Sequence, residues 1–509
     1  MNVASFFDRS ATAVAQVLGE CDSDRLRLKL SGLAVALAFD SKAVRASEGV
    51  VTLELATDLL ARFYPGLRLI PVDDDPATVA MVNKLGEAAR AIHPGIELQP
   101  EMCTVCCCLI VGSRAPALDV PTIFIGSHGW NAMLDPAQPV GSLDTRNPFG
   151  AAAAACIGVA NAFRIAFADL LPDTRPDGAL EFDVLHHRLG RCPVSPALPD
   201  QIDIDGTHLV GLGAIGRAAA WSLSRAPALR GRLDGVDHEA IEDSNLQRYV
   251  GATQADAAAT VLKCQSVTEM FRGSGVQVAE HPLTWGQYLR SRADCRLDRV
   301  AVALDTPDDR IALQAALPRR ILNAWTQPGD LGVSRHGFTS GPCLACLYLP
   351  DREVPSLSHL VADAIRLPEL EVRGLLHAGF RVDPAFLERV ALAAEVPLEA
   401  LLPFDGLPLR SFYTKAVCGT TWFGTGAGGD RGAMAVPMAF QSALAGVLLA
   451  VEIVADAAML RTTAMAPLTK INLLKPLGSR LVEPAAKHKS GQCICQDDTY
   501  RAAYQRKYS

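Results

Sequence analysis

The sequence predicts an α/β fold made of two tandem Rossmann-like halves, with a helical insertion in the second. Three observations predict it. Short apolar runs alternate with helical patterns along both halves, the rhythm of a parallel sheet covered by helices. A glycine turn, Gly211-Leu212-Gly213-Ala214-Ile215-Gly216, joins a strand to a helix in the second half and has no counterpart in the first. From Pro350 to Lys415, Leu, Ala, Glu and Arg recur at helical spacing instead.

In the first half, Leu33 to Phe39, Leu67 to Val72, Cys107 to Val111 and Thr122 to Gly126 read as buried strands, because each is short, apolar and bounded by turn residues. Asp75 to Ile92 and the alanine-rich Gly150 to Leu171 read as helices, the second introduced by Asn147-Pro148-Phe149. Pro193 to Pro199 reads as a linker. In the second half His208 to Leu212, Arg232 to Val236, Val300 to Leu304, Ile321 to Ala324 and Leu468 to Leu474 are expected strands. Ala214 to Ala226 and Val436 to Ala457 are expected helices there, and Leu357 to Ile365 and Pro384 to Ala394 are expected in the insertion. The expected domains are 1–195, 206–348, the insertion 349–415, and 416–509.

With 509 residues, 49% of them hydrophobic and 20% charged, the chain holds ample core material and is not expected to be disordered. A net charge of −7 argues against a general nucleic-acid or membrane-surface binder. No run reads as a membrane span, since Ala443 to Leu460 carries Glu452 and Asp456. Met1 to Glu20 lacks the pattern of a signal peptide. Fourteen cysteines, partly in CxxC spacing, suit a reducing compartment and metal or catalytic thiols, so a cytoplasmic location is expected.

Gly211, Gly213 and Gly216 permit a tight turn, close approach of backbone to phosphate, and close helix–strand packing, with the anion at a helix N-terminus. Alone, that turn suits an NAD-type Rossmann enzyme as well. The run that follows separates the two. Asp237 ends the next strand, where an acid meets a ribose. Then come Glu239, Asn245, Gln247 and Arg248. Asn245 can donate to phosphate oxygens and Arg248 can neutralise them with a rigid fork, and Lys263 adds a point charge one helix later. A dinucleotide dehydrogenase has no use for that run; an ATP site does.

GxGxxG, the run from Asp237 to Arg248, Lys263, and Asp305 five residues before Arg310 together resemble the ThiF/MoeB/E1 superfamily, over roughly residues 205–348 and 416–495. Glu239, Ile241 and Thr306 depart from the family pattern of Asp, Val and Asn. The resemblance implies tandem ThiF/E1-type adenylation folds, one active and one inactive, with ATP as substrate and Mg2+ held by Asp305. It implies an enzyme that adenylates the C-terminal glycine of a ubiquitin-like protein and passes it to a cysteine as a thioester for an E2-type partner. The chain is similar in outline to the E1-like enzymes of bacterial ubiquitin-like conjugation operons associated with antiviral defence. The alternatives are a sulfur-carrier-protein adenylyltransferase of the ThiF/MoeB kind and a catalytically inactive scaffold that binds a modifier. A homodimer is compatible with either activator.

Cys343 and Cys346 form a CxxC, and Cys493 and Cys495 a later CxC. Four thiolates suit a closed structural zinc site, and E1-like enzymes bind zinc through two such pairs, although their second pair is CxxC. Cys418, beside Lys415 and before a glycine-rich stretch, matches the position of the family's thioester- or persulfide-forming cysteine. About 70 residues separate it from Cys346, longer than in simple sulfur-carrier activators. Cys103, Cys106, Cys107 and Cys108 read as core thiols, as do Cys21, Cys156, Cys192, Cys264 and Cys295. In the first half Phe39 is followed by Asp40-Ser41-Lys42, which cannot cradle a phosphate. An inactive half can still donate an arginine to the neighbouring ATP site; Arg9 is the candidate. Trp130 and His128 follow a strand and read as core or capping residues rather than as a groove for the modifier.

Overall fold

In a computed structural model of the chain, described for residues 3–18, 23–100, 103–142, 144–173, 175–190, 195–350, 356–413, 416 and 436–509, two compact units are present. One comprises 1–349 and 436–509, the other 350–435.

The larger unit contains two sheets. The first is built from β1 (Leu33–Phe39), β2 (Gly66–Pro71), β3 (Glu97–Leu98), β4 (Thr104–Val111), β5 (Thr122–His128), β6 (Asn131–Asp135), β7 (Leu180–Asp183) and β8 (Arg188–Leu189). Their order is β3-β2-β1-β4-β5-β6-β7-β8. The second has β9 (Ile202–Asp203), β10 (Thr207–Val210), β11 (Leu229–Val236), β12 (Gly275–His281), β13 (Arg299–Val302), β14 (Arg320–Thr326), β15 (Leu331–Gly337), β16 (Leu468–Ile471) and β17 (Val482–Glu483). Its order is β12-β11-β10-β13-β14-β15-β16-β17, with β9 beside β11. In both sheets the first five strands of the path run parallel and the remaining three antiparallel. Parallel strands need crossovers and are covered on both faces, which is why β1 reads as a continuous apolar run and is buried from Ala34 to Phe39.

Two long apolar helices, Pro148–Ala166 and Ala439–Ala457, fill the space between elements. Both are long and apolar enough to cross a membrane by length and composition, and both are almost wholly buried inside the protein. Gly446 explains the close packing of the second. A Cβ there would stand 2.5 Å from the Ile215 carbonyl oxygen and 2.6 Å from Ala218 Cβ, on the helix that opens at the glycine turn.

Some boundaries differ from the sequence reading. The helix expected over Gly150 to Leu171 begins at Pro148, capped by Asn147, and ends at Ala166, because Phe167 leaves helical geometry. The strand expected to reach Leu212 stops at Val210, since Gly211 turns the chain with φ +86. The helix expected from Val436 starts at Ala439. The polar tail ends in a helix, Asp498–Tyr508, whose Tyr508 hydroxyl lies 3.0 Å from both the Leu297 and the Leu317 carbonyl oxygens and has one proton to share between them. Trp130 is a core residue, stacked on Phe149 at 5.4 Å, with its indole N–H on the Pro196 carbonyl; His128 is exposed. Cys107, Cys108, Cys156 and Cys264 are buried as expected, but Cys103 and Cys106, at the start of β4, are only half-buried, and Cys295 is exposed, outside any core. Cys21 and Cys192 lie outside the described residues.

The smaller unit has its own core. Helices Leu357–Ile365, Glu369–His377 and Pro384–Ala394 bring together Val361, Ile365, Val372, Leu387 and Val390, joined by Phe412 from the short helix Leu409–Phe412.

Candidate functional site

The candidate site sits at the C-terminal ends of β10, β11 and β13, the crevice where open parallel sheets bind ligands. Gly211 has no room for a side chain: a Cβ would stand 2.5 Å from the Ala303 carbonyl oxygen. A Cβ on Gly216 would collide with the Gly211 carbonyl oxygen. Gly213 is the N-cap of Ala214–Ser224 and supplies no capping side chain, so the helix opens with its N–H groups uncovered by the cap. The helix dipole adds partial positive charge there.

Asp237 organises this turn. Its Oδ2 accepts from Leu212 N at 2.7 Å and its Oδ1 from Glu239 N at 2.9 Å. Glu239 reaches Lys263, with Nζ 2.5 Å from Oε2. Lys263 is buried at the start of its helix and lies 5.3 Å from the centre of the Tyr249 ring. Burial disfavours its charge, but Tyr249, Asp237 and Glu239 outweigh burial and hold the ammonium above its ordinary pKa.

Asn245 lies in a short 3-10 turn, where its Oδ1 accepts from Glu242 N at 2.9 Å. That leaves its amide nitrogen as the group able to donate outward. Gln247 is buried and donates to the Pro437 carbonyl, so it ties this turn to the chain entering Ala439–Ala457. Arg248 is half-buried, its guanidinium 5.9 Å from the Tyr249 ring centre.

Asp305 is exposed just beyond β13. Thr306 caps the next helix by accepting from Asp309 N. Arg310 is buried over the Tyr348 ring and donates to the Ala324 carbonyl.

Arg9 joins these groups from the other end of the chain. It lies on the helix Phe7–Leu18. Burial and then repulsion from Arg248 hold its pKa down at about 10, against the opposing pull of Asp305 and Tyr249. Ser5, just before this helix, donates to Asp243 Oδ1 at 2.5 Å.

The equivalent end of β1 in the first sheet is built differently. Buried Asp40 accepts from Ala43 N at 2.9 Å and from Ser113 N at 2.7 Å. Its carboxylate takes the backbone donors at that strand end.

Cys343, Cys346, Cys493 and Cys495 are all buried, and their sulfurs all lie within 4.8 Å of one another. The Cys343–Cys493 and Cys346–Cys493 sulfurs are 3.4 Å apart, and Cys346–Cys495 3.5 Å. Hydrogen bonding from Cys343 pulls the Cys346 thiol down and pushes Cys343 up. Four buried thiols converging on one point fit a closed tetrahedral zinc site. The CxC spacing does not prevent it, because Cys493 and Cys495 flank the start of a 3-10 turn that aims both sulfurs inward. Cys418 and Lys415 lie outside the described residues.

Comparison with known proteins gives the following. The family model "Prokaryotic E2 family C" matches residues 38–168, within the first sheet. The cysteines of that span are Cys103, Cys106, Cys107, Cys108 and Cys156, and the last three are buried. Among solved structures, Escherichia coli MccB with AMPCPP and selenomethionyl MccA is 13% identical over 56% of this chain, with a TM-score of 0.33. MccB with ATP is 14% identical over 56%, with a TM-score of 0.34. The chain spans less than two thirds of MccB, 65% and 64% in the two cases. A full-length relative is the uncharacterized protein y4jF of Sinorhizobium fredii, 44% identical over 514 residues, which cover 100% of this chain and 98% of y4jF. At that identity over the whole length, this chain belongs to the same family as y4jF of Sinorhizobium fredii.

Proposed function

We propose that this chain is an ATP-dependent adenylyltransferase of the ThiF/MoeB/E1 type, which activates the C-terminal carboxylate of a small protein or peptide as an acyl adenylate. The observation that carries this reading is the placement of Lys263, Arg248 and Asp305 in the segments that follow β10, β11 and β13, beside the turn Gly211–Gly216, with Lys263 over the Tyr249 ring that approaches Gly213. Two cations beside an open helix N-terminus suit a polyphosphate better than a nicotinamide dinucleotide, which carries less charge at that point; of the three carboxylates there, Asp237 is taken up by the backbone of the turn, Glu239 holds Lys263, and Asp305 is left for a metal ion.

In the proposed reaction a substrate carboxylate oxygen attacks the α-phosphorus of ATP. A new O–P bond forms, the α–β bridging bond breaks, and pyrophosphate leaves with the electron pair. The helix N-terminus, Lys263 and Arg248 hold the phosphate oxygens on which charge builds. Arg9 extends this field from the first half of the chain. Asp237 keeps the turn in register through Leu212 N, and Glu239 holds Lys263 until phosphate replaces it. Asp305, exposed and beside the turn, is suited to hold Mg2+, which would screen the triphosphate and draw charge onto the leaving group.

The first half reads as an inactive counterpart of the second. Both sheets have the same strand order and the same switch from parallel to antiparallel, and Asp40 fills the place where a phosphate would need donors. Zinc in the four-thiol cluster would fasten the C-terminal segment to the turn that follows β15.

A narrower reading has one observation in its favour, the match to prokaryotic E2 family C. On it, the substrate is a ubiquitin-like protein ending in glycine. Cys418 thiolate displaces AMP from the adenylate to give a thioester for an E2-type partner. A sulfur-carrier activator would stop at the adenylate and receive sulfur there.

ATP–pyrophosphate exchange tests the proposal. Label should move from pyrophosphate into ATP only when a small protein or peptide with a free C-terminal carboxylate is present. Exchange absent with every such substrate, together with no ATP binding, would contradict it. A modifier adduct released by dithiothreitol and lost in Cys418→Ala separates the thioester reading from simple adenylation.

A further inference from the structure

We infer that Asp58 and Arg62, in the first half of the chain, are positioning residues for the nucleotide segment Asn245–Arg248 of the second; the inference rests on the adenylyltransferase reading. Arg62 ends the helix Ser47–Ala61, and its side chain is fully buried. Its Nη1 donates to the Leu246 carbonyl at 2.5 Å and its Nη2 to the Ala252 carbonyl at 3.0 Å. Asp58, one turn earlier, accepts from Arg62 Nε at 2.7 Å and from Nη2 at 2.9 Å. The same Asp58 carboxylate accepts from Gly251 N at 2.8 Å.

A second buried arginine grips the segment from the other side. Arg217 lies on the helix that opens at the glycine turn; its Nε donates to the Val250 carbonyl at 2.7 Å and its Nη1 to Ser266 Oγ at 2.8 Å. Burial lowers the Arg217 pKa to about 10, with Arg62 adding repulsion.

Leu246, Val250, Gly251 and Ala252 therefore give their backbone groups to three side chains instead of to water, which a surface loop would use. Gln247, Arg248 and Tyr249 lie between these anchors. Tyr249 approaches Gly213, where a Cβ would stand 3.3 Å from its hydroxyl. The clamp thus fixes Arg248 relative to the glycine turn. A buried ion pair is a weak source of net stability; what this one provides is register. The first half, which lacks a phosphate turn of its own, sets the geometry of the other's.

The test uses the full-length chain carrying Arg62→Ala, Arg62→Lys or Asp58→Asn, the last keeping shape while removing charge in case Arg62→Ala fails to fold. Three quantities are read: amide hydrogen exchange over 246–252, equilibrium binding of ATP, and kcat and KM of ATP–pyrophosphate exchange. Each variant should raise amide exchange over 246–252 while helix Ala439–Ala457 stays protected. kcat should fall on the order of tenfold to a hundredfold, with KM for ATP little changed. Added guanidinium should restore part of the lost rate in Arg62→Ala, and Arg62→Lys should not recover it, because an ammonium with three donors on one atom cannot span the four bonds that the guanidinium makes from three nitrogens. If the wild type binds ATP while 246–252 exchange and kcat are unchanged in Arg62→Ala and Asp58→Asn, the clamp is wrong. If the wild type binds no ATP, the nucleotide reading is wrong and the positioning role falls with it.

Discussion

Lys263 Nζ stands 2.5 Å from Glu239 Oε2, over the Tyr249 ring and beside the glycine turn. In this arrangement the exposed Glu239 carboxylate occupies the lysine that the proposed function gives to phosphate. Nucleotide must displace the glutamate, which swings into solvent at little cost because it is exposed.

Lys263→Met should weaken ATP binding on the order of tenfold to a hundredfold, from about 1.5–3 kcal/mol for a hydrogen bond between charged groups. Calorimetric titration with MgATP measures it. The pH dependence has a defined sign. A lysine whose folded pKa lies above its unfolded value contributes stability that is full below the unfolded value and is lost as pH rises through the folded one. Unfolding curves of wild type and Lys263→Met should therefore keep a constant separation between about pH 6 and 9 and converge only in stronger alkali.

Gly216→Ala and Gly374→Ala should have opposite effects. A Cβ on Gly216 collides with the Gly211 carbonyl, so the turn must open, with loss of ATP binding and about 1–3 kcal/mol of stability. Gly374 lies in the helix Glu369–His377 with open space around it. Alanine there should stabilise its helix by up to about 1 kcal/mol. Urea titration followed by circular dichroism reads both.

The four buried thiols should bring about one zinc ion per chain, the stoichiometry of a four-coordinate structural site, measured by mass spectrometry of the purified protein. Cys346→Ser should lose that metal and lower the melting temperature. Chelation should release the tail as well, seen as faster amide exchange over Asp498–Tyr508.

Glu452 is buried between Arg335 and Arg461, with four contacts of 2.7 Å. Burial alone would raise its pKa, but the two arginines hold it far below the usual range. A depressed carboxylate contributes stability above its unfolded pKa and loses it as pH falls through the folded value. Acid should therefore destabilise wild type below about pH 4.5, the unfolded value, more than it destabilises Glu452→Gln. At neutral pH, Glu452→Gln should cost about 2–4 kcal/mol, since two part-buried arginines lose their charged partner. Urea titration at two pH values checks both statements.

Local chemistry made much of this fold legible in the sequence. Asp75 and Asn147 cap their helices through their own side chains, each followed by proline, and β1 and the glycine turn announce themselves by composition. The antiparallel strand β15, Leu331–Gly337, was hidden because Gly332, Ser334 and Arg335 break its apolar pattern; Gly332 is there because Trp325 and the Thr469 carbonyl leave no room for a Cβ. Within the site, Gly211, Asp237, Lys263 and Arg248 lie in one short motif and could be found. The Arg62 contacts could not: its partners are 184 and 190 residues away, and nothing near Arg62 distinguishes it from a solvated helix end. Arg9 was reached only as a candidate from the resemblance, because its helix becomes part of the site through long-range packing.

The proposed function stands on a triphosphate over the turn Gly211–Gly216 with a divalent ion on Asp305. The most direct measurement is a crystal structure of the full chain with MgATP. Phosphates are expected against the N–H groups at the start of helix Ala214–Ser224, within reach of Lys263 and Arg248, with metal density at the Asp305 carboxylate. Nucleotide bound elsewhere, or a nicotinamide dinucleotide in that crevice with Asp305 left in solvent, would contradict it.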